Sequence, residues 1–318
     1  MCEIQFIKRL DNKFLDSEDI FFFEVMMIKG SFWNKDAWGL FNNSILTKKE
    51  GSFKSIGLLN YELLKNNFVV GHNRLATNGN ANKNENNHPF ESKNFILVHN
   101  GIISNYAELT LNENLYFKGE TDSLVILHLI EKYYQKTNDI SKAIKKTTKK
   151  LIGSYSVFVL DKNTNTLYYF KSENAKFSFC YIETETKKIL LGSTNVTNFN
   201  NLYCDREQIF YIPKYKKHAT MNAKSKVIYQ ITSEIKEIGK FKECEITKEI
   251  TSTIEYTNCL IEEFFNNYFN GEMFYRKIGN KIYLDDMCDL TPIEHIIEPH
   301  FDTMGTYILE QDILFLYS

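Results

Sequence analysis

The chain has 318 residues, of which 43% are hydrophobic and 25% are charged. These proportions are typical of a globular protein with one large domain, or with a domain and a substantial appendage. The net charge of −2 provides no basic surface for nucleic acid. The N-terminal region contains no apolar run long enough for a secretory signal or a membrane span. We therefore expect a cytoplasmic protein with no nucleic-acid or membrane partner.

The cysteines of the chain lie far apart, without a CxxC pair. This spacing argues against a zinc cluster and, in a reducing compartment, against a disulfide framework, so we expect no metal and no cofactor. Cys2 differs from the others by its position. If Met1 is removed, the Cys2 thiol lies beside a free α-amine with a pKa of about 7.7–8.0, which can take the thiol proton without help from a histidine.

Strands and helices alternate through the first three-quarters of the chain. Apolar runs rich in β-formers predict strands at 68–70, 95–98, 155–160, 167–170 and 188–191. Thr121, Asp122 and Ser123 provide an N-cap and an acidic first turn for a helix over LVILHLIEKYYQK. A second, Lys-rich amphipathic helix is predicted over 140–151. These patterns predict a mixed α and β domain over residues 2–240.

The pattern of apolar and polar residues changes after about residue 240. The segment TSTIEYTNCLIEEFFNNYF predicts an amphipathic helix, and the remainder is aromatic-rich with short strand-like pieces. No chemical motif occurs there. Residues 241–318 are interpreted as a C-terminal extension that either packs on the main domain or binds a partner or an acceptor.

Four polar motifs follow one another between residues 71 and 123: GHNRLATNG, NNHPF, VHNGIISNY and GETDS. The first comes directly after a predicted strand, so its polar side chains emerge where a strand ends, and the third follows the strand predicted at 95–98. Arg74 stands out in a chain whose basic residues are mainly lysine, and its guanidinium can bind a carboxylate through two parallel hydrogen bonds. Gly101 allows close backbone approach, and Asp122 suits either a helix cap or a cation.

In this order the motifs resemble those of the class II glutamine amidotransferases. These glutaminase modules occur in glucosamine-6-phosphate synthase, glutamine phosphoribosylpyrophosphate amidotransferase and asparagine synthetase, and in stand-alone relatives. The resemblance covers about residues 2–215. It implies an α+β fold, the four-layer αββα sandwich of N-terminal-nucleophile hydrolases, where composition and periodicity alone indicate only mixed α and β structure.

The resemblance implies catalytic roles for three residues. Cys2 is expected to attack the γ-carbonyl carbon of glutamine and to form a thioester. The side-chain amide of Asn100 and the backbone N–H of Gly101 are expected to stabilise the oxyanion that this attack creates.

Substrate binding is implied for three further positions. Arg74 and Thr77 are expected to hold the α-carboxylate of glutamine, and Asp122 its α-ammonium. Asn78 replaces a histidine that is common in the biosynthetic members. His88 of NNHPF is expected to shape the loop and the wall of the site rather than to transfer protons.

One further segment bears on the subfamily. WNKDAWGLF, residues 33–41, is more similar to the HKDGWG of stand-alone relatives than to the RGYDSAG or RGPD of the biosynthetic synthases. Trp38 and Gly39 are therefore expected to shape the surroundings of the nucleophile.

Three functional interpretations remain open at this stage. Residues 241–318 are too few for an acceptor module, so the chain is expected to supply ammonia to a partner synthase in trans. The KDAWG segment favours a free-standing γ-glutamyl amidohydrolase acting on a larger γ-glutamyl amide. An inactive scaffold with the same fold is the third interpretation, and the intact set of site residues counts against it.

Overall fold

The structure is a computed structural model that describes residues 2–54, 63, 65–76, 79–195 and 217–244, and the backbone of four strands within 275–316. The chain divides into two compact units, Met1–Cys244 and Glu245–Ser318. All four polar motifs lie in the first unit. The amphipathic helix predicted within 251–269 lies outside the described residues.

In the described part of the first unit, the strands are β1 (Glu3–Arg9), β2 (Ala37–Phe41), β3 (Leu46–Glu50), β4 (Phe68–Arg74), β5 (Phe90–Glu91), β6 (Phe95–Ile103), β7 (Gly153–Asp161), β8 (Thr166–Lys171), β9 (Ser178–Glu183), β10 (Lys188–Ser193), β11 (Lys217–Asn222), β12 (Val227–Ile231) and β13 (Ile235–Lys240). The helices are α1 (Ser17–Ser31), α2 (Tyr106–Asn112), α3 (Asp122–Thr137) and α4 (Ile140–Thr148), and a 3₁₀ turn covers Asn84–Asn86. No helix among the described residues has the length and apolarity needed to cross a membrane.

The strands form two antiparallel sheets. A seven-stranded sheet has the order β11-β9-β10-β1-β4-β2-β3, and a six-stranded sheet has the order β13-β12-β8-β7-β6-β5. Apolar side chains of both sheets, among them Phe6, Phe158 and Tyr169, form a core between them. A second core lies between α1 and the seven-stranded sheet, and a third includes α3, α4 and the six-stranded sheet. This arrangement confirms the predicted α+β, four-layer αββα sandwich.

Strand β1 is buried along its whole length because both of its faces are covered. Ile4 and Phe6 point into the core between the sheets, whereas Ile7 points toward α1. At the end of the strand, Arg9 is 4% exposed and donates hydrogen bonds to Asp11 and to Asp19 of α1. These bonds tie the start of α1 to one end of β1, while Cys2 lies at the other.

Each of the five predicted strands is present, as β4, β6, β7, β8 and β10. Helix α3 begins at Asp122 with Thr121 at the N-cap position, but the Thr121 hydroxyl makes no capping hydrogen bond. Helix α4 ends at Thr148, before the predicted Leu151. The chain leaves the helix early because Gly153, with φ +143°, already begins β7.

In the second unit, the described backbone forms a four-stranded antiparallel sheet in the order β14-β15-β17-β16. The strands are β14 (Tyr275–Ile278), β15 (Lys281–Leu284), β16 (Tyr307–Glu310) and β17 (Ile313–Leu316). They correspond to the strand-like pieces that the sequence indicates in the extension.

Lys8 is an unusual member of the core of the first unit. Its side chain is 5% exposed, its Nζ donates to Oδ1 of Asn67 at 3.2 Å, and it lies 5.4 Å from the ring centre of Phe68. Among the described residues, no carboxylate lies within ion-pair distance of Lys8. Burial lowers the pKa of Lys8 to about 8, because the ammonium loses its hydration.

Lys8→Met is expected to raise the free energy of unfolding by about 2 kcal/mol at pH 7, since the buried charge is removed. Below pH 8 both states hold the Lys8 proton and its penalty is complete. Between about pH 8 and 10.4, the unfolded state binds more protons than the folded state, so wild-type stability rises with pH and the advantage of the variant shrinks. Urea unfolding at pH 7 and pH 9.5 measures this. The exposed Lys93→Met is the control, and an equal gain at both pH values for Lys8→Met would contradict the prediction.

Candidate active site

Cys2 lies directly before β1 and is held against the chain segment that follows β4. The pairing of β1 with β4, in which Glu3 lies opposite Asn73, brings Cys2 next to Leu75. The Cys2 thiol donates to the carbonyl oxygen of Leu75 at 3.2 Å, and its Sγ accepts from the Leu75 N–H at 3.3 Å. One residue therefore positions the sulfur through both of its backbone polar groups.

The thiol of Cys2 is protonated at neutral pH in this setting. Burial raises the pKa of Cys2, while the backbone hydrogen bond with Leu75 and the positive charge of Arg74 act in the opposite direction. The negative charge of Asp122 adds to the rise. A nucleophilic role for this sulfur therefore requires a base that removes its proton.

Arg74 is the last residue of β4, and its side chain is 4% exposed. Nη1 donates to Oδ1 of Asn87 at 2.8 Å, and Nη2 donates to the carbonyl oxygen of Gly79 at 2.9 Å. Burial lowers the pKa of Arg74, whereas the charges of Cys2, Asp36 and Asp122 raise it. The guanidinium is thus oriented by the loop after β4 and lies within electrostatic range of the thiol and of two carboxylates.

Asn100 and Gly101 lie in β6, opposite Ser156 and Tyr155 of β7. Gly101 has φ +146°, a conformation that other residues rarely adopt, and a Cβ at this position would lie 1.9 Å from the carbonyl oxygen of Ser154. Both Asn100 and Gly101 are half-exposed, so they are accessible to a small ligand. Glycine is required at 101 because the strand passes this close to its neighbour.

Asp122 begins α3 and is 6% exposed. Its Oδ2 accepts a hydrogen bond from the backbone N–H of Ile103 at 2.7 Å, which connects α3 to the end of β6. The carboxylate therefore has a structural contact in addition to the predicted contact with substrate. Thr77, the third predicted substrate contact, lies outside the described residues.

Trp38 and Gly39 lie in β2, beside β4. Trp38 packs edge-on against Phe53, with ring centres 5.0 Å apart, in the core beneath α1. A Cβ at Gly39 would lie 2.1 Å from the carbonyl oxygen of His88 and 2.8 Å from Cδ of Pro89. Gly39 therefore allows the loop that carries His88 to lie against the sheet, whereas Trp38 acts through core packing.

Asp36 was not among the residues predicted to form the site. Its Oδ2 accepts from the N–H of Ala76 at 2.7 Å, and its own N–H donates to the carbonyl oxygen of Arg74 at 3.1 Å. These bonds hold the segment that contacts the Cys2 thiol. The sequence signal for Asp36 is its place in the KDAWG segment, which indicates a subfamily but assigns this carboxylate no role.

The first unit is similar to known proteins in sequence and in fold. Residues 72–197 match the glutamine amidotransferase domain family. The glutamine–fructose-6-phosphate aminotransferase of Helicobacter pylori is 30% identical over 246 residues, which are 67% of this chain and 41% of that protein. The corresponding enzyme of Aquifex aeolicus is 45% identical over 96 residues, 29% of this chain and 16% of that protein.

The fold is similar to that of glutamine phosphoribosylpyrophosphate amidotransferase from B. subtilis, solved with ADP and GMP. The TM-score is 0.55 at 16% identity, over 76% of this chain and 49% of that chain. The chain contains a class II glutamine amidotransferase domain. The predicted family is confirmed, and the chain spans less than half the length of each of these relatives.

Three histidines of the amidotransferase domain are buried: His72, His88 and His99. The rings of His72 and His88 stack with their centres 4.0 Å apart. Burial lowers the pKa of all three imidazoles, that of His72 to about 3, so all are neutral at pH 7. The described residues contain no group of His, Cys, Asp or Glu side chains arranged to hold a metal ion.

Lys48 of β3 is another contributor that sequence analysis missed. Its Nζ donates to the carbonyl oxygens of Asn87 at 2.8 Å and Pro89 at 3.1 Å, and it lies 5.1 Å from the ring centre of Phe90. Burial lowers the pKa of Lys48. In the amidotransferase domain, this side chain fastens the NNHPF loop, whose Asn87 in turn orients Arg74. No sequence motif surrounds Lys48, so only its contacts identify it.

Proposed function

We propose that this chain hydrolyses the side-chain amide of glutamine through a thioester on Cys2 and supplies the ammonia to an acceptor enzyme in trans, in the cytoplasm. The observation that carries the proposal is the position of the Cys2 sulfur. It is held between the N–H and the carbonyl of Leu75, within electrostatic range of Arg74 and Asp122. A thiol within electrostatic range of a cationic and an anionic side chain suits an amino-acid substrate.

The proposed reaction begins after removal of Met1, when the α-amine of Cys2 takes the thiol proton. The sulfur attacks the γ-carbonyl carbon of glutamine, and the oxyanion is bound by the side-chain amide of Asn100 and the N–H of Gly101. The C–N bond then breaks, and the proton held by the α-amine leaves with ammonia. Water cleaves the thioester, which releases glutamate and restores the thiol.

Recognition of glutamine is assigned to opposite charges on two elements. Arg74, at the end of β4, binds the α-carboxylate together with Thr77, and Asp122, at the start of α3, binds the α-ammonium. A substrate lacking either charge is therefore bound weakly. The named relatives transfer the amide nitrogen to phosphorylated sugars, and an acceptor of that chemical class is part of this proposal.

Arg74→Lys is expected to raise the KM for glutamine about 10- to 100-fold with a smaller change in kcat. Lysine retains the charge but loses the planar fork, at a cost of about 1.5–3 kcal/mol for hydrogen bonds to a charged group. Steady-state glutamate release measures both constants. Lys83→Arg, an exposed site near the same loop, is the matched control, and an unchanged KM for Arg74→Lys would contradict the assignment.

A free-standing γ-glutamyl amidohydrolase is the second candidate. It is favoured by the WNKDAWGLF segment, in which Asp36 holds the backbone beside Cys2. Glutaminase activity that is low alone and rises with a co-purifying synthase supports ammonia supply in trans. High activity on a larger γ-glutamyl amide, with no partner, favours the amidohydrolase.

The direct test of the shared chemistry is labelling with 6-diazo-5-oxo-norleucine, a glutamine mimic with an electrophilic carbon. We expect one adduct per chain on Cys2, and mass spectrometry of the labelled protein locates it. The absence of any adduct on Cys2 in protein that lacks Met1 would favour the inactive-scaffold interpretation.

A further inference from the structure

Ser123 bridges two buried histidines that belong to different motifs. Its Oγ lies 2.9 Å from Nδ1 of His99 and 3.2 Å from Nε2 of His88. Ser123 is 3% exposed, and it follows Asp122 directly in α3. His99 directly precedes Asn100 in β6. The bridge therefore connects the neighbour of Asp122, the proposed ammonium contact, to the neighbour of Asn100, the proposed oxyanion contact.

The contacts of Ser123 are compatible with one continuous set of hydrogen bonds when the imidazoles are neutral. Nδ1 of His88 accepts from the backbone N–H of His99 at 3.3 Å, so the ring proton of His88 lies on Nε2 and is donated to Ser123. The Ser123 hydroxyl can then donate to Nδ1 of His99, and in that arrangement the ring proton of His99 lies on its Nε2. The hydrogen bonds then run from the His99 N–H to His88, from His88 to Ser123 and from Ser123 to the His99 ring.

The peptide groups of His99 are held on both sides. His88 accepts from its N–H, and Nε2 of His72 donates to its carbonyl oxygen at 3.1 Å. The His99 ring also abuts Gly101, since a Cβ on Gly101 would lie 2.9 Å from Nε2 of His99. A change in the orientation of the His99 ring would therefore displace the backbone on which Asn100 and Gly101 lie.

We propose that Ser123 is a positioning residue whose hydroxyl sets the tautomers of His88 and His99, and that these rings hold Asn100 and Gly101 in place relative to Asp122. The catalytic part of this inference rests on the proposed glutaminase function. Ser123 contacts no reacting atom in this scheme, and it acts through His99.

Ser123→Ala removes the bridge with little change in volume. We expect kcat for glutamate release to fall about 10-fold while KM for glutamine changes less than about twofold, because the oxyanion donors shift and the charged contacts of the substrate remain. Ser123→Thr retains the hydroxyl and is expected to restore most of the rate. The matched control is Ser92→Ala, which removes a hydrogen bond from the β5–β6 turn to Glu131 of α3, at the other end of β6.

NMR of the imidazole nitrogens provides a readout that does not depend on activity. In the wild type, both His88 and His99 are expected to carry their proton on Nε2, and Ser123→Ala is expected to give mixed tautomers. A proton on Nδ1 of either ring in the wild type would overturn the inference, even if the protein proves not to be a glutaminase. An active wild type with an unchanged kcat in Ser123→Ala, or an equal loss in Ser92→Ala, would overturn it while leaving the glutaminase function intact.

Discussion

Cys2→Ala is expected to lower the rate of glutamate release from glutamine by on the order of 10⁴-fold or more, because no other group can form the thioester. The fold should survive the change, since Cys2 precedes β1 and its hydrogen bonds to described residues are both with Leu75. Glutamate release and circular dichroism measure the two effects. Cys244→Ser, which changes the thiol of the last residue of the first unit, is the matched control and should retain activity.

The role of the α-amine is tested separately from that of the sulfur. A chain with extra residues in front of Cys2 should be inactive until a protease removes them and leaves Cys2 first, since the raised pKa of the thiol makes a base necessary. Intact mass identifies the processed form. Full activity in the extended chain would show that another group takes the thiol proton. Near wild-type activity in Cys2→Ala would show that Cys2 is not the nucleophile.

Asn100→Ala is expected to lower kcat about 10²- to 10³-fold with little change in KM, since an oxyanion donor acts mainly in the transition state. Asn100→Asp should lose at least as much, because a carboxylate of the same shape cannot donate and repels the developing negative charge. Asn94→Ala, which removes a side-chain amide directly before the start of β6, is the control. An Asn100→Asp variant with wild-type kcat would assign oxyanion stabilisation to a different group.

Much of the fold was accessible from local patterns. The predicted strands 68–70, 95–98 and 155–160 appear as β4, β6 and β7 because short apolar runs bounded by polar residues are a local signal. The end of α4 was not accessible from local patterns, since it depends on the conformation of Gly153 at the start of β7. Thr121 occupies the predicted N-cap position without a capping hydrogen bond, and the carboxylate of Asp122 accepts from Ile103 of β6, a contact across elements that local patterns do not show.

The site residues likewise fall into those that motifs predicted and those that only the structure identified. Arg74, Asn100, Gly101 and Asp122 were proposed from motifs because each belongs to a recognisable stretch of sequence. Asp36, Lys48 and Ser123 were not, since their importance comes from partners 24 to 41 residues away in the chain. Asp36 and Ser123 lie within the KDAWG and GETDS segments, but a hydrogen bond over such a separation gives no local signal of its partner.

The sequence by itself determined the family of the domain and the chemical types at the site: a thiol near the N-terminus, one arginine among lysines, and an Asn-Gly pair. These depend on residue identity and order, which motifs preserve. Only the tertiary structure decided how they are held. It brought Leu75 to Cys2 through strand pairing, Asn87 to Arg74 through a loop fastened by Lys48, and Ser123 between two buried imidazoles, because each contact requires two elements to pack in one particular arrangement.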